Sequence, residues 1–293
     1  MSASLRILLS LLLLSAIPYA AAFPFGSKID DPKDVPKVTT SAPSAQLIGQ
    51  TFTIESKVMH ETRRINVYTP PPCDGPKAAA CPVLYMPDGG ILEDFLHIAG
   101  LVQVSVGNHT MRPFILVGIE NTERRRDLTP PTDVAEDLRI APRVGGSALF
   151  RQFLRDELKV AVRARYNTSS ESAIVGESLA GLFIVETFLL EPDLFDSYIA
   201  ISPSLWWNGQ QLADSTAARL KAQPDLHKTL YLSAADESNI LPGTQVMAAA
   251  LKADAPKGLR WYYEPMPGET HATIYHPAAL AAFRKVFAPA ATP

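Results

Sequence analysis

The feature that most constrains this chain is an alternation of short apolar runs with longer helical patterns. The runs are almost entirely apolar and fall at residues 82–86, 114–119, 173–175, 198–201, 230–234 and 261–264. Helical patterns fall at residues 148–166, 179–190, 210–221, 242–253 and 277–287. Strands that are apolar on both faces are typical of a mostly parallel sheet with helices on both faces. The sequence therefore predicts an α/β fold, preceded by two further strands at residues 51–58 and 64–68.

The N-terminus has the pattern of a secretory signal peptide. Arg6 is the only charge before a run at residues 7–14 that is apolar except for Ser10, and an alanine triplet ends at residue 22. A basic start, a short apolar segment and small residues at the end predict a cleaved signal at residues 1–22. An uncleaved N-terminal anchor is the alternative. A linker rich in Pro, Lys, Ser and Asp is predicted at residues 23–48, before one domain at residues 49–293. We expect a periplasmic or secreted protein.

Charge and cysteine content narrow the class of protein. The formal net charge of −3 provides no basic field for nucleic acid, and no later stretch is apolar enough to span a bilayer. The chain has two cysteines, Cys73 and Cys81, around a loop rich in Pro, Gly and Ala. In an oxidising compartment they are predicted to form a disulfide, although two unpaired thiols are the alternative. The sequence predicts neither a metal site nor a cofactor.

The apolar run at residues 173–175 leads into Gly176-Glu177-Ser178-Leu179-Ala180-Gly181, and a helical pattern follows at once. This strand–turn–helix context is the one that a nucleophile elbow requires. The turn is tight, so residues two before and two after the nucleophile must be small, as Gly176 and Ala180 are. Ser178 is therefore the candidate nucleophile. Its alternative role is that of a plain helix N-cap.

A serine nucleophile needs a base, and the chain order in this type of fold is serine, acid, histidine. His271 lies in the loop after the last predicted strand and before the last helix, which makes it the candidate base. The acid is expected after the run at residues 230–234, where Asp236 and Glu237 are adjacent. Either carboxylate could orient the imidazole, and their positions alone do not separate them.

At these positions the sequence resembles the Putative esterase family of α/β hydrolases, which includes enterochelin and salmochelin esterases. The resemblance covers residues 65–287 and is carried by Val67-Tyr68-Thr69-Pro70, Tyr85-Met86-Pro87-Asp88-Gly89, Gly118-Ile119-Glu120-Asn121-Thr122, Arg126-Asp127-Leu128-Thr129-Pro130, Gly176-Glu177-Ser178-Leu179-Ala180-Gly181, Ser202-Pro203-Ser204-Leu205-Trp206-Trp207 and Pro267-Gly268-Glu269-Thr270-His271. It implies an α/β-hydrolase fold in which Ser178 and His271 are catalytic.

The same resemblance assigns further roles. It favours Glu237 over Asp236 as the acid. It implies that the main-chain N–H of Leu179 is one oxyanion donor and that Gly89 or Gly90 supplies the second. The chain departs from the family pattern at Glu177, where members usually carry histidine, and at Ala180, where they carry glycine.

Aromatic and basic residues follow two of the predicted strands, at the edge where such sheets bind ligands. Trp206 and Trp207 are candidates for an aromatic substrate pocket, with core packing as the alternative. Arg126 is the candidate for binding a phenolate or carboxylate. A solvated charge cluster, or a pairing of Arg126 with Asp127, is its alternative.

The sequence thus predicts an exported serine carboxylic-ester hydrolase that forms an acyl-enzyme on Ser178. Its expected partner is a small-molecule ester, either a siderophore or an aromatic ester of the feruloyl type. An acyltransferase or thioesterase with the same residues is one alternative. A non-catalytic secreted binding protein on a hydrolase scaffold is the other.

Overall fold

The computed structural model describes residues 48–290. The strands in this part are β1 (Gln50–Ser56), β2 (Glu61–Tyr68), β3 (Cys81–Pro87), β4 (Ile115–Ile119), β5 (Thr168–Glu177), β6 (Ser197–Ile201), β7 (Thr229–Ala235) and β8 (Arg260–Met266). The helices are α1 (Phe95–Gly107), α2 (Arg124–Leu128), α3 (Ala135–Ile140), α4 (Ser147–Phe153), α5 (Lys159–Arg165), α6 (Leu179–Leu190), α7 (Gln211–Asp214), α8 (Thr216–Lys221), α9 (Leu241–Asp254) and α10 (Tyr275–Val286).

The strands form one sheet in the order β1-β2-β4-β3-β5-β6-β7-β8. β2 pairs antiparallel with β1 and β4, and every other pair is parallel. The register aligns Leu84 of β3 with Leu116 of β4 and with Ala173 of β5. The predicted mostly parallel sheet is confirmed. Because β3 to β8 run in one direction, the loops after them meet at the same edge of the sheet.

Successive residues of each strand face two separate layers of the core. Val83 and Tyr85 of β3 pack with residues of α4, α6, α8 and α9, whereas Leu84 and Met86 pack with residues of α1 and α10. Side chains alternate between the two faces of a strand, so both faces of this sheet are apolar and both need a helical cover. This explains why the strands read as continuous apolar runs.

Helix α6 is buried along almost its whole length, from Leu179 to Leu189. Its one charged residue, Glu186, is paired with Arg151 of α4 at 2.6 Å. A helix that is apolar on every side belongs in a protein interior. Since α6 follows β5 directly, its burial fixes the position of the turn between them.

Some elements differ from the sequence prediction. The pattern did not predict α1, because Gly100 and the β-branched valines in it weaken the helical preference. The helix predicted at residues 148–166 contains a π-helical turn at Leu154–Leu158, and the one at residues 210–221 is divided at Ser215. β5 begins at Thr168, earlier than its apolar run, because its first half is polar.

The predicted signal peptide at residues 1–22 lies outside the described residues, as does the predicted linker at residues 23–48 except for Ile48. Within residues 48–290, no helix is long and apolar enough to cross a membrane. The same residues contain no group of three or more His, Cys, Asp or Glu side chains that could hold a metal ion.

Cys73 and Cys81 form the predicted disulfide, with a Cα–Cα distance of 5.8 Å. Both cysteines are buried. Cys81 is the first residue of β3, so the bridge lies at the opposite end of this strand from the loops that follow the parallel strands. The disulfide therefore fixes the loop before β3 to the first residue of that strand. It lies far from the edge of the sheet that carries Ser178.

We expect the variant Cys73→Ser/Cys81→Ser to be less stable than the wild type. Closing so short a loop in the unfolded chain is worth about 2.5 kcal/mol in the loop-entropy relation. Thermal unfolding followed by circular dichroism should show a lower Tm for the variant, and a reductant should lower only the wild-type Tm. Equal Tm values in oxidising buffer would contradict this expectation.

Candidate active site

Ser178 occupies a strained turn between β5 and α6. Its backbone has φ 63° and ψ −121°, a conformation that non-glycine residues rarely adopt. The turn is held from both sides, because the Ser178 N–H donates to Ile201 O at 3.1 Å and the Leu182 N–H donates to Ser178 O at 2.9 Å. Such strain persists only where the surrounding structure imposes it. The hydroxyl is therefore presented at a fixed place at the carboxyl end of β5.

Small residues around Ser178 allow this turn. A Cβ at Gly176 would lie 2.6 Å from the Cβ of Ala180, and one at Gly181 would lie 3.0 Å from Ile201 O. Only glycine fits at these two positions without displacing backbone or packed side chains. Ala180 is accommodated because position 176 has no side chain. The departure from the family pattern at Ala180 thus leaves the turn intact.

His271 lies in the loop between β8 and α10, and its imidazole reaches Ser178. The His271 Nε2 atom is 2.9 Å from Ser178 Oγ, across a sequence separation of 93 residues. A second hydroxyl, Ser204 Oγ, lies 3.4 Å from Ser178 Oγ. Burial lowers the pKa of His271, the charge of Arg124 lowers it further, and the charge of Glu237 opposes this. A neutral imidazole at this distance is placed to accept the serine proton.

Glu237 and Asp236 differ in what they contact. Glu237 Oε1 accepts a hydrogen bond of 2.6 Å from the main-chain N–H of His271 and does not reach its ring. Within residues 48–290 the buried Nδ1 atom of His271 has no hydrogen-bond partner. Asp236 is exposed. Glu237 is thus the carboxylate beside His271, as expected, but it holds the loop and not the imidazole.

Glu177 contacts the ring directly, which the sequence did not indicate. Its Oε1 atom lies 3.1 Å from His271 Nε2, within ion-pairing distance but not aligned as a hydrogen bond. Burial raises the pKa of Glu177 to about 8, Arg124 lowers it, and the charges of Asp88, Asp94 and Glu237 raise it. The carboxyl is therefore largely protonated at neutral pH.

The predicted oxyanion donors are not equally available. Leu179 is the first residue of α6, so its N–H has no hydrogen-bond partner within the helix. It lies at the positive end of the helix dipole. The Gly89 N–H donates to Ile119 O at 2.9 Å, and the Gly90 N–H donates to Glu93 Oε2 at 2.7 Å.

These hydrogen bonds correct the expectation that Gly89 or Gly90 supplies the second oxyanion donor. Gly89 is unsuitable, because its N–H is used in holding the loop to β4. A Cβ at Gly89 would lie 2.2 Å from Gly118 Cα, so this glycine serves close backbone packing. The Gly90 N–H would become available only if the Glu93 carboxylate moved away from it.

The two tryptophans lie in different environments. Trp207 is 1% exposed, and its Nε1–H donates to Pro130 O at 2.9 Å. This residue is part of the core, which corrects the expectation that it lines a substrate pocket. Trp206 is partly buried and packs with its ring centroid 5.9 Å from that of Trp207. Only Trp206 keeps surface that a ligand could contact.

Arg126 is also structural, contrary to expectation. Its guanidinium contacts Glu61 at 2.7 Å, Glu123 at 3.2 Å and Asp127 at 2.6 Å. Three carboxylates satisfy this cation, so little of its charge is free for a substrate. The sequence left the Arg126–Asp127 pairing open as the alternative, and the structure contains it.

A neighbouring arginine lies closer to the site. Arg124 holds Asp88 with two hydrogen bonds, of 2.7 and 2.8 Å, and its side chain remains 36% exposed. It also lines a cavity of about 470 Å³ whose other walls are Glu123, Arg125, Arg126, Ala141, Pro142 and Arg143. The charge of Arg124 lowers the pKa values of both Glu177 and His271, so one wall of this cavity is electrostatically coupled to the two side chains beside Ser178 Oγ.

Comparison with proteins of known sequence gives several siderophore esterases, two of which follow. The chain is 31% identical over 169 residues to ferri-bacillibactin esterase BesA of Bacillus subtilis, which covers 51% of this chain and 56% of that protein. It is 33% identical over 158 residues to apo-salmochelin esterase of Escherichia coli, covering 49% and 48%. The matched regions thus span about half the length of these curated relatives.

Solved structures share the fold. An IroE-like serine hydrolase from Shewanella oneidensis superposes with a TM-score of 0.73 at 27% identity, covering 82% of this chain and 80% of that one. The BES protein from Bacillus cereus superposes with a TM-score of 0.74 at 20% identity, covering 85% and 99%. These likenesses and the strand order identify the α/β-hydrolase fold. The family model described as "Putative esterase" matches residues 56–277, so the chain belongs to the Putative esterase family.

Proposed function

We propose that this protein is a serine carboxylic-ester hydrolase in which Ser178 is the nucleophile and His271 is its general base. The observation that carries the proposal is the 2.9 Å contact between Ser178 Oγ and His271 Nε2, made at a strained strand–helix turn. A hydroxyl at hydrogen-bond distance from a neutral imidazole has the arrangement of an activated nucleophile. The names of the relatives, which are esterases of siderophores, support an ester as the substrate.

The proposed reaction uses these residues in two stages. Ser178 Oγ attacks the ester carbonyl while His271 Nε2 takes its proton and then passes it to the leaving alcohol. The Leu179 N–H, at the start of α6, is aimed at the developing oxyanion. Water then resolves the acyl-enzyme with His271 again as base. If another acceptor replaced water, the same residues would give an acyltransferase or thioesterase, and product analysis separates these outcomes.

We also propose that the protein is exported, to the periplasm or beyond. The pattern at residues 1–22 and the disulfide between Cys73 and Cys81 support this, because disulfides persist in oxidising compartments.

Within this function, we infer that the acyl group is aromatic and carries a phenolic hydroxyl or an anionic group, as in a feruloyl-type ester or a catecholate siderophore. The arginines that line the cavity at Arg124 support a phenolic or anionic group, and the exposed part of Trp206 supports a ring. Arg143 is accessible to a ligand, because its side chain is 67% exposed while it pairs with Glu123. The names of the relatives point to the same class of substrate.

We expect Ser178→Ala to abolish hydrolysis of a simple aryl ester. Loss of a nucleophile lowers kcat by about 10⁶ in serine hydrolases, and the residual rate, about 10³–10⁴ above that in water, comes from the oxyanion site and substrate binding. Labelling by a fluorophosphonate should disappear as well. Ser204→Ala is the matched control, because it removes the neighbouring hydroxyl and should still be labelled. An active, folded Ser178→Ala protein would exclude Ser178 as the nucleophile.

We expect Glu237→Gln to lower kcat by about tenfold or less, since Glu237 supports the main chain of His271 and does not touch its ring. The matched control is Asp236→Asn, in which the adjacent, exposed carboxylate is replaced by its amide and activity should stay at the wild-type level. A loss of about 10⁴ for Glu237→Gln would instead mean that the side chain reorients onto the imidazole during turnover. A larger loss for Asp236→Asn would reverse the assignment of the acid.

We expect Arg143→Ala to raise KM several-fold for an aryl ester with a carboxylate or catechol on its acyl group, with little change in kcat. The physical reason is the loss of one cation from the cavity wall. KM for a neutral acyl ester of the same leaving group should not change. Arg139→Ala is the matched control, because Arg139 is exposed and paired only with Glu136. Equal effects on charged and neutral esters would contradict anion binding in this cavity.

A further inference from the structure

We propose that Glu177 is a positioning residue: when ionised, it supplies the negative charge that stabilises the His271 imidazolium, and a proton on Glu177 switches this support off. The inference rests on the proposed function of Ser178 and His271. It concerns a residue that sequence reasoning noted only as a departure from the family pattern, at the position just before the nucleophile.

Glu177 contacts the same imidazole nitrogen, His271 Nε2, that would accept the serine proton. His271 Nε2 is 2.9 Å from Ser178 Oγ and 3.1 Å from Glu177 Oε1. The Glu177 contact is not aligned as a hydrogen bond, so the carboxyl leaves Nε2 free to accept the serine proton. It acts by its charge, which is effective because Glu177 is mostly buried and His271 is half-buried.

Within residues 48–290, Glu237 is another carboxylate whose charge raises the pKa of His271, but it does not contact the ring. The ordinary position for the acid is beside Nδ1, and here Nδ1 is buried without a hydrogen-bond partner. Glu237 is engaged with the main-chain N–H of His271. The positive charge that forms on the imidazole during attack therefore has its contacting counter-charge at Glu177.

The surroundings of Glu177 set the pH at which it can act. Arg124 of α2 attracts its charge, while Asp88 after β3, Asp94 before α1 and Glu237 after β7 repel it. Burial is the largest influence and raises the pKa of Glu177 to about 8. Below this pH the carboxyl is neutral and offers no counter-charge, and above it the carboxylate is present.

The step can be written with all atoms accounted for. Ser178 Oγ bonds to the acyl carbon, the carbonyl electron pair moves to oxygen, and the serine proton moves to His271 Nε2. The imidazolium now faces the Glu177 carboxylate. When the oxyanion pair re-forms the carbonyl, the bond between the acyl carbon and the alcohol oxygen breaks, and this oxygen takes the proton from His271 Nε2. Glu177 neither gains nor loses a proton during turnover.

The test compares the wild type with Glu177→Gln, using kcat/KM for a neutral aryl ester between about pH 5.5 and 9.5. The wild-type rate should rise with a midpoint near 8, whereas the variant should follow only the lowered pKa of His271. The ratio of wild-type to variant activity should therefore increase by about tenfold or more from pH 6 to pH 9. A purely structural role would leave this ratio constant, and a constant ratio would overturn the proposal.

Glu269→Gln is the matched control, since Glu269 lies in the same loop as His271 but its carboxylate bonds Thr273 at 2.6 Å. The pH profile of this control should follow that of the wild type. If the control also lost the midpoint near pH 8, the midpoint could not be assigned to Glu177.

A second measurement keeps the proposal testable if Glu177→Gln does not fold. The ring ¹⁵N signals of His271, followed by NMR in the wild type, should show an inflection near pH 8 caused by ionisation of Glu177. Absence of that inflection would overturn the inference. A wild type that hydrolyses no ester at any pH would overturn the proposed function instead, while the NMR titration would still decide the role of Glu177.

Discussion

The arrangement of this protein depends on one turn, in which the chain passes from the central strand β5 into the buried helix α6. The positive φ of Ser178 is sustained because Ile201 O and Leu182 N–H hold its backbone and because Gly176 and Gly181 leave room for it. Burial of α6 on all sides prevents the helix from relaxing away from the sheet. The position of the hydroxyl is thus a property of the packed core and not of a loop.

Much of the fold could be predicted from the sequence, because strands buried on both faces leave an apolar signal that needs no tertiary information. The pairing of Ser178 with His271 was also accessible, since chain order and the position after β8 are topological. Helix α1 was missed, because its Gly100 and valines mask a real helical face. The local sequence pattern predicts whether a segment forms a strand or a helix, and for most of the sheet this prediction was sufficient.

The details of the site were less accessible, because they depend on which distant groups meet. No pattern shows that Glu61 of β2 neutralises Arg126, or that the Trp207 indole donates a hydrogen bond to Pro130 O. Nor does a glycine-rich loop show that its free N–H will be taken by Glu93. The sequence shows that a basic, aromatic or glycine residue could bind a ligand. Whether it is free to do so depends on its contacts with residues from other elements.

The buried carboxyl at position 177 also affects folding. In the unfolded chain a glutamic acid has its ordinary pKa of 4.5, whereas in the folded protein the pKa of Glu177 is about 8. Folding in this interval therefore takes up a proton, so the group's stabilising contribution is complete below pH 4.5 and declines as pH rises towards 8. Stability and catalysis therefore favour different states of Glu177. The protonated form is the more stable one in the protein interior, whereas the ionised form would stabilise a cation on His271. Glu177 would therefore contribute most to stability at a pH where it contributes least to catalysis.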